Sequence, residues 1–252
     1  MSDSVSNMSL SQLRPSGTPL YLQVKRAVLD ALATGEWKQG DAIPPEKTLA
    51  ERFGVPIGTL RKAVDELAIE NILVRHQGRG TFVAVHERNQ HFFRFFRIVR
   101  HDGQKAYPTT QLIRFRKARA SKEVQEKLML GDNAHVFEFI NVLSLHDQKI
   151  IVDVIAVPEQ LFTGLTRDQL AARPSTLYSF YQESFGLNVI STVEHVRAHA
   201  ADSVQAELLH IPEAHPLLQI RRVAYSFNRQ PVEWRVSYVN TDLYEYVGED
   251  RE

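Results

Sequence analysis

LAERFGVPIGTLRKAVDELAIENILVRHQGRGTFV, residues 49–83, is the stretch that decides the fold. Leu49, Ala50 and Phe53 make the inner face of a short helix that Gly54 ends. A second helix is predicted from Ile57 to Glu70. Leu60, Val64, Leu67 and Ala68 point inward, and Thr59, Arg61, Lys62 and Asp65 stay outside. Ile72 and Val74, then Thr81, Phe82 and Val83, read as two short strands with Gln77, Gly78 and Arg79 at their tip. The order is helix, turn, helix, wing. Such a unit offers the leading end of its second helix to the major groove of DNA, where each base pair shows a distinct donor and acceptor pattern. Glycine at the wing tip permits close approach of backbone, and an arginine beside it suits a narrow minor groove.

Upstream, Thr18 is expected to cap a helix that has Pro19 at its first position. Leu20, Val24, Ala27, Val28, Ala31 and Leu32 form its apolar stripe, and Gly35 stops it. Trp37 and a Gly40-Asp41 turn lead to Ile43-Pro44-Pro45-Glu46. There Pro45 fits a helix start, and Glu46 suits the positive end of the helix. Residues 18–86 are thus expected to form a winged helix-turn-helix domain. Residues 1–17 read as a disordered lead-in, and residues 87–92 as a linker.

The 252 residues allow one large or two ordinary domains. An apolar content of 43% supports a core, and 24% charged residues is ordinary. The chain has no cysteine, which excludes disulfides and thiolate zinc sites and fits a reducing cytoplasm. No apolar run approaches the roughly 20 residues of a membrane span, and the polar start does not resemble a signal peptide. Net charge is zero, but it is segregated. Residues 75–119 carry 11 Lys/Arg against Glu87 and Asp102, and residues 120–252 carry 11 against 19 acids. A basic segment beside an acidic remainder suits one nucleic-acid face. The arginines of 94–119 are equally compatible with solvated strand faces.

After the wing the pattern changes. His91–Val99 and Gln111–Ala120 read as strands. Ser121 caps a helix with Val124, Leu128 and Leu130 inward. Val136–Leu145 and Ile150–Val157 flank His146-Asp147-Gln148-Lys149, a hairpin signal. Short helical pieces are expected over Pro158–Leu170, and an amphipathic helix from Thr176 to Phe185. Val189–Ala200 reads as a strand. Asp202 caps a helix carrying Val204, Ala206 and Leu208. Leu217–Phe227 and Val232–Val239 form a last hairpin. These are the elements of an α+β domain over 93–248, a mostly antiparallel sheet with helices.

The N-terminal motifs resemble the winged helix of the GntR family of bacterial transcription regulators. Its pattern of L-P-S-E-R-x-L-A, G-V-S-R-x-T-V-R-x-A-L and G-x-G-T-F-V is similar to Ile43–Ala50, Gly54-Val55 with Thr59–Val64, and Gln77–Val83. The resemblance implies DNA contacts from Lys47, Thr59, Arg61 and the Gly78 tip. Two positions depart from it. Pro56-Ile57 replaces the usual Ser/Thr-Arg, so a base-reading arginine is missing, and Asn71 replaces a glycine. Arg61, Lys62 and Arg79, with Gln77 at the tip, are therefore expected to carry more of the binding, on an operator unlike the family's common half-site.

The C-terminal pattern resembles the UTRA effector domain of the HutC subfamily, whose fold is similar to chorismate lyase. The residues that carry this are Ser175-Thr176-Leu177-Tyr178, Ile211-Pro212 with Pro216-Leu217-Leu218, and Pro231-Val232-Glu233 with Ser237-Tyr238, Asp242 and Tyr244. The resemblance implies a homodimer and a small-molecule effector held by Thr109 or Thr110, Asn141, Leu143, Asp153, Thr176, Glu233 and Tyr238. Members that sense sugar phosphates carry R-x-R where this chain has Asn141-Val142-Leu143. Both guanidinium forks are absent, which speaks against a phosphosugar. Asp153 and Glu233 are expected among apolar neighbours and need partners. Those partners are donors on the ligand, or Arg222 or Arg235.

No cofactor is implied. His195 and His199 lie four apart in a segment that alternates like a strand, which places them about 13 Å apart, too far for one metal ion. The Phe92-Phe93 and Phe95-Phe96 cluster reads as core or dimer contact, or as a stacking surface for bases. The sequence shows no nucleophile elbow, Walker loop or dinucleotide fingerprint. The expected function is a ligand-responsive DNA-binding regulator, with palindromic duplex DNA as partner. The alternative is an enzyme with a chorismate-lyase-like domain fused to a DNA-binding module. No clustered acid, base or nucleophile favours that alternative.

Overall fold

The computed structural model describes residues 18–38, 40–69, 72–84, 95–103, 106–173 and 176–248. Residues 1–17, the linker 87–92, Asn71, the Phe92-Phe93 pair and Ser175 lie outside the described residues. The chain divides into two compact units, Met1–His86 and Glu87–Glu252.

The first unit holds α1 (Leu20–Ala33), α2 (Glu46–Phe53), α3 (Ile57–Ile69), β1 (Leu73–His76) and β2 (Gly80–Val83). Leu49 and Phe53 of α2 are buried. On α3 the buried stripe is Leu60, Ala63, Val64 and Leu67, so Ala63 takes the place expected for Ala68. Helix α3 packs against both α1 and α2, and Val24 and Val28 of α1 are fully buried. Thr18 does not cap α1 with its side chain. Pro19 holds an extended conformation at the cap position, and the Thr18 carbonyl accepts from Gln23 Nε2 at 2.8 Å. Between α2 and α3 the chain turns at Gly54, which is left-handed with φ of 62°. The wing is an antiparallel pair running from Leu73↔Val83 to His76↔Gly80. Its tip turns through Gly78 at φ of 73°, closed by Arg79 N–H to the His76 carbonyl at 3.0 Å. The segment before α2 ties down the wing's second strand. Ala42 bridges Phe82, and Ile43 N–H donates to the Thr81 carbonyl at 2.9 Å.

The second unit follows the same path twice. Strand β4 (Thr109–Arg119), helix α4 (Lys122–Leu128) and the hairpin β5 (His135–Leu145) with β6 (Gln148–Pro158) form one pass. After α5 (Arg167–Ala172) and α6 (Leu177–Phe185), strand β7 (Ser191–Ala200), helix α7 (Ser203–Leu209) and strands β8 (Pro216–Tyr225) and β9 (Pro231–Asn240) form the other. The six strands are antiparallel in the order β4-β5-β6-β9-β8-β7, so the two passes meet at β6 and β9. A two-residue turn at His146 and Asp147, φ of 49° and 61°, joins β5 to β6, the paired positive values of a type I′ hairpin.

The caps in this unit fall where the side chains demand them. Ser121 accepts from Val124 N–H at 3.3 Å, and Asp202 accepts from Gln205 N–H at 2.8 Å in a reciprocal capping box. The inner face of α7 is Gln205, Ala206 and Leu209, and Val204 is 58% exposed. The expected stripe was shifted by one residue, because the cap fixes where the first turn begins. Helices α4 and α7 lie on one face of the sheet, against Trp234 and Val223 and against Val152 and Leu217. The other face buries Phe139, Ile155 and Val157 under Phe162, Leu170, Tyr178 and Tyr181. The strand expected over His91–Val99 is described only as β3 (Ile98–Arg100), paired with β10 (Tyr244–Tyr246).

A Cβ added at Gly54 would meet no atom within 4 Å, so only backbone strain opposes substitution there. Gly54→Ala is expected to cost about 1–2 kcal/mol of stability and Gly54→Asn less, measured by chemical denaturation. Equal tolerance of both would remove the left-handed turn.

Candidate functional site

In the first unit the leading end of α3 is exposed. Burial of Leu60, Ala63 and Val64 turns Ile57, Gly58 and Arg61 to solvent, with Thr59 half-buried. Arg61 does not extend freely. Its Nε donates to Glu46 Oε2 at 2.8 Å, and Glu46 Oε1 accepts from Arg75 Nη2 at 3.0 Å. Arg75 also pairs with Asp65. Lys62 turns away from Arg61, with its ammonium 4.0 Å from the centre of the Tyr21 ring on α1. Lys47 is exposed on α2. At the wing Gln77, Gly78 and Arg79 are exposed, and the Arg79 guanidinium lies 6.0 Å from the Phe82 ring centre. The structure therefore groups Thr59 and Arg61 on α3 and ties Lys62 to the helix behind. Glu46, read from sequence only as a helix-end charge, is the residue that reasoning undervalued. The acid stands 15 positions before the arginine it holds.

Several basic residues of the 94–119 run resolve as paired charges, while Arg94 and Lys105 lie outside the described residues. Arg116 pairs with Glu138, Lys117 with Glu159 at 2.5 Å, and Arg100 with Asp102 at 3.5 Å. Arg119 donates to the Asp132 carbonyl and to Asn133. These partners belong to the second unit, so the bland reading accounts for these basic residues.

In the second unit the chemistry gathers on the two central strands. Strand pairing sets Asn141, Asp153, Ser237 and Ile220 in a row across one face, with Phe139, Ile155, Arg235 and Arg222 in the next row. Arg235 bridges two buried carboxylates. Its Nε and Nη2 donate to the two oxygens of Glu233, both at 2.9 Å, and Nη1 donates to Asp153 Oδ2 at 3.1 Å. Ser237 donates to the other Asp153 oxygen. Tyr178 and Tyr181, three apart on α6, donate to Glu233 at 3.1 and 2.7 Å. Burial, reinforced by the Glu233 charge, pushes the Tyr178 hydroxyl up to about 12 and Tyr181 well above its ordinary value. Both stay neutral donors at physiological pH. Burial opposes the Arg235 charge, but Glu233, Tyr178 and Asp153 outweigh it and hold the guanidinium ionised. Breaking such a buried set by removing one member costs roughly 3–5 kcal/mol.

Arg222 serves a second set. It pairs with Glu194, which also accepts from the Tyr246 hydroxyl, and it donates to the Phe95 carbonyl. A shallow cleft, partly open to solvent, lies over both sets. Phe95, Phe96, Arg97, Ile98 and Tyr246 form one wall, and Leu143, Asp153, Arg235 and Ser237 are among the residues of the sheet beneath.

Several expected effector residues meet here and others do not. Leu143 and Asp153 line the cleft. Asn141 is 2% exposed, directly across from Asp153, and its Oδ1 has no hydrogen-bond partner among the described residues. Thr110 pairs with Leu143 and shares its face, whereas Thr109 pairs with Ser144 and faces away. Thr176 caps α6, accepting from Ser179 N–H at 3.3 Å. Tyr238 pairs with Val152 and Gln219, so strand alternation sends it to the opposite face beside His199, ring centres 4.8 Å apart. Glu233 is fully buried and accepts from Tyr178, Tyr181 and Arg235. It supports the site from below and offers nothing to a ligand. His195 and His199 sit on a strand, with His199 2.9 Å from Gln205 Oε1. Sequence reasoning missed the two tyrosines, although their i, i+3 spacing after the Thr176 cap aims both at one neighbour.

A helix-turn-helix with a tied wing, followed by a separate sheet domain with a polar-floored cleft, defines a class of two-part DNA-binding regulators. Residues 20–83 match the gntR family of bacterial regulatory proteins, and residues 103–245, more than half of the chain, match the UTRA domain. The chain belongs to the gntR family, in its UTRA-bearing form. A relative in Escherichia coli K12, named as the probable fructoselysine utilization operon transcriptional repressor, is 27% identical over 84% of this chain and 87% of its own. The transcriptional repressor NagR of Bacillus subtilis is 24% identical over 93% and 96%. Among solved structures, the ligand-binding domain of a regulator assigned to the GntR family, from Bordetella bronchiseptica, aligns with a TM-score of 0.59. It is 28% identical and covers 62% of this chain and 96% of its own. The protein is accordingly a DNA-binding transcriptional regulator with an effector-binding domain. The relatives are regulators rather than enzymes, which disposes of the fused-enzyme alternative.

A buried amide oxygen without a partner is a stability deficit of about 1–3 kcal/mol. Asn141→Val is therefore expected to raise the melting temperature of the protein. A lowered melting temperature would mean that the amide is already satisfied.

Proposed function

We propose that this regulator belongs to the HutC subfamily and acts as a cytoplasmic homodimeric repressor, released from a palindromic operator by a small molecule. Residues 18–86 bind DNA, residues 87–92 link, and residues 93–248 dimerise and bind the effector. Two winged helices would occupy half-sites about 34–36 Å apart, the spacing of one DNA turn. The observation that carries this reading is the exposed leading end of α3. There Arg61 stands outward, 61% exposed, within a unit that matches the gntR family. Lys47, Thr59, Gln77, Gly78 and Arg79 contribute base and phosphate contacts around it. Lys62 contributes less than its sequence position implies, because Tyr21 already holds it.

The effector occupies the cleft over Asp153, contacting Asn141, Leu143 and Thr110, with Thr176 at the start of α6. Asn141 and Leu143 supply no cationic fork, so a hydroxyl- or amine-bearing ligand suits this floor better than a phosphosugar. Its leverage over DNA binding cannot exceed its differential affinity for the two arrangements of the dimer.

Arg61→Ala is expected to weaken binding to the operator by about 1–3 kcal/mol while sparing random duplex, read by fluorescence anisotropy. Equal losses on both duplexes would make Arg61 a phosphate contact and remove it from base reading.

A further inference from the structure

Glu46 opens α2 in the first unit, and Pro45 before it makes no side-chain cap. The helix start therefore fixes the backbone of Glu46 and favours its charge, and its carboxylate reaches across to α3 and to the wing. One oxygen takes Arg61 Nε at 2.8 Å, and the other takes Arg75 Nη2 at 3.0 Å. Asp65, one helical turn after Arg61, takes the remaining side of Arg75. The acid thus knits α2, α3 and β1 together at the surface expected to meet DNA. Arg61 makes no other hydrogen bond or ion pair among the described residues, and its side chain is 61% exposed. With Nε held, Nη1 and Nη2 are left without a hydrogen-bond partner among the described residues. That edge can pair bidentately with O6 and N7 of guanine.

We infer that Glu46 is a positioning residue for sequence reading: it fixes the Arg61 guanidinium as a fork aimed at a base edge. The inference rests on Arg61 reading a base, as proposed above. An exposed pair of this kind adds little to folding, so its effect lies in the complex. An arginine held in one rotamer before binding need not be ordered on binding. A carboxylate beside the phosphates weakens attraction to any duplex, so it trades general affinity for discrimination. Arg61 is the one arginine of α3, and it is the one that is braced.

The test compares wild type, E46Q, E46D, R61A and E46Q/R61A. Each is measured on a duplex selected by the wild-type protein from a random pool and on its shuffled counterpart, at two salt concentrations. E46Q is expected to lower the selected-to-shuffled affinity ratio at least about tenfold, the size of one good bidentate contact, with shuffled binding unchanged or tighter. E46D keeps the charge at the helix start but falls a methylene short of Arg61. It should show the same loss, whereas a mere helix-end role would spare it. In the R61A background E46Q should change the ratio no further. An unchanged ratio in E46Q beside a selective loss in R61A overturns the brace and leaves the base reading standing. An unselective loss in R61A overturns both. Melting temperatures of the variants within a few degrees of wild type identify a ratio change as recognition rather than unfolding.

Discussion

Two carboxylates on the central strands of the large sheet oblige a cation between them, and Arg235 is that cation. Glu233 is fully buried and Asp153 nearly so, and a buried carboxyl group needs hydrogen-bond partners. The guanidinium answers both with three of its five N–H groups, from the strand that carries Glu233 itself. Two tyrosine hydroxyls complete the shell of Glu233 and dock α6 onto the sheet. The point where the two passes of the chain meet is therefore also the point where its charge is concentrated. The cleft above inherits a polar floor whose geometry is fixed before any ligand arrives.

The same chemistry appears in the small unit with the opposite purpose. At the sheet centre the ion pairs are buried and hold elements together. At the α2–α3 surface Glu46 collects two arginines in solvent, where the gain in stability is small and the gain in orientation is larger. Both arrangements use a carboxylate to settle the direction of a guanidinium fork. On the proposed reading, one floors the effector cleft and the other sets the base-reading arginine.

Much of this was legible from residue order. Gly54, Gly78 and the apolar spacing of α2 and α3 are local signals, and the structure places the turn, the wing tip and both helices where those signals fall. Ser121, Thr176 and Asp202 announced their helices because capping is local chemistry. Two things were not legible. One was phase: whether Val204 or Leu209 faces inward, or whether Tyr238 shares a face with Asp153, depends on a register set by partners up to 86 residues away in sequence. The other was ownership of charge. Arg116 and Lys117 read as a nucleic-acid face until Glu138 and Glu159 are seen beside them. Arg235 and Arg222, cross-strand neighbours, were equal candidates for the buried acids until Glu194 was seen beside Arg222.

The account turns on α3 as a DNA-reading element served by an effector-binding partner domain. The most direct measurement is a footprint of the purified protein on promoter fragments at moderate salt, with excess bulk DNA present. Protection of one site with two symmetric halves about one helical turn apart is the predicted result. Protection of no fragment in preference to the competitor, with and without candidate metabolites, would contradict it.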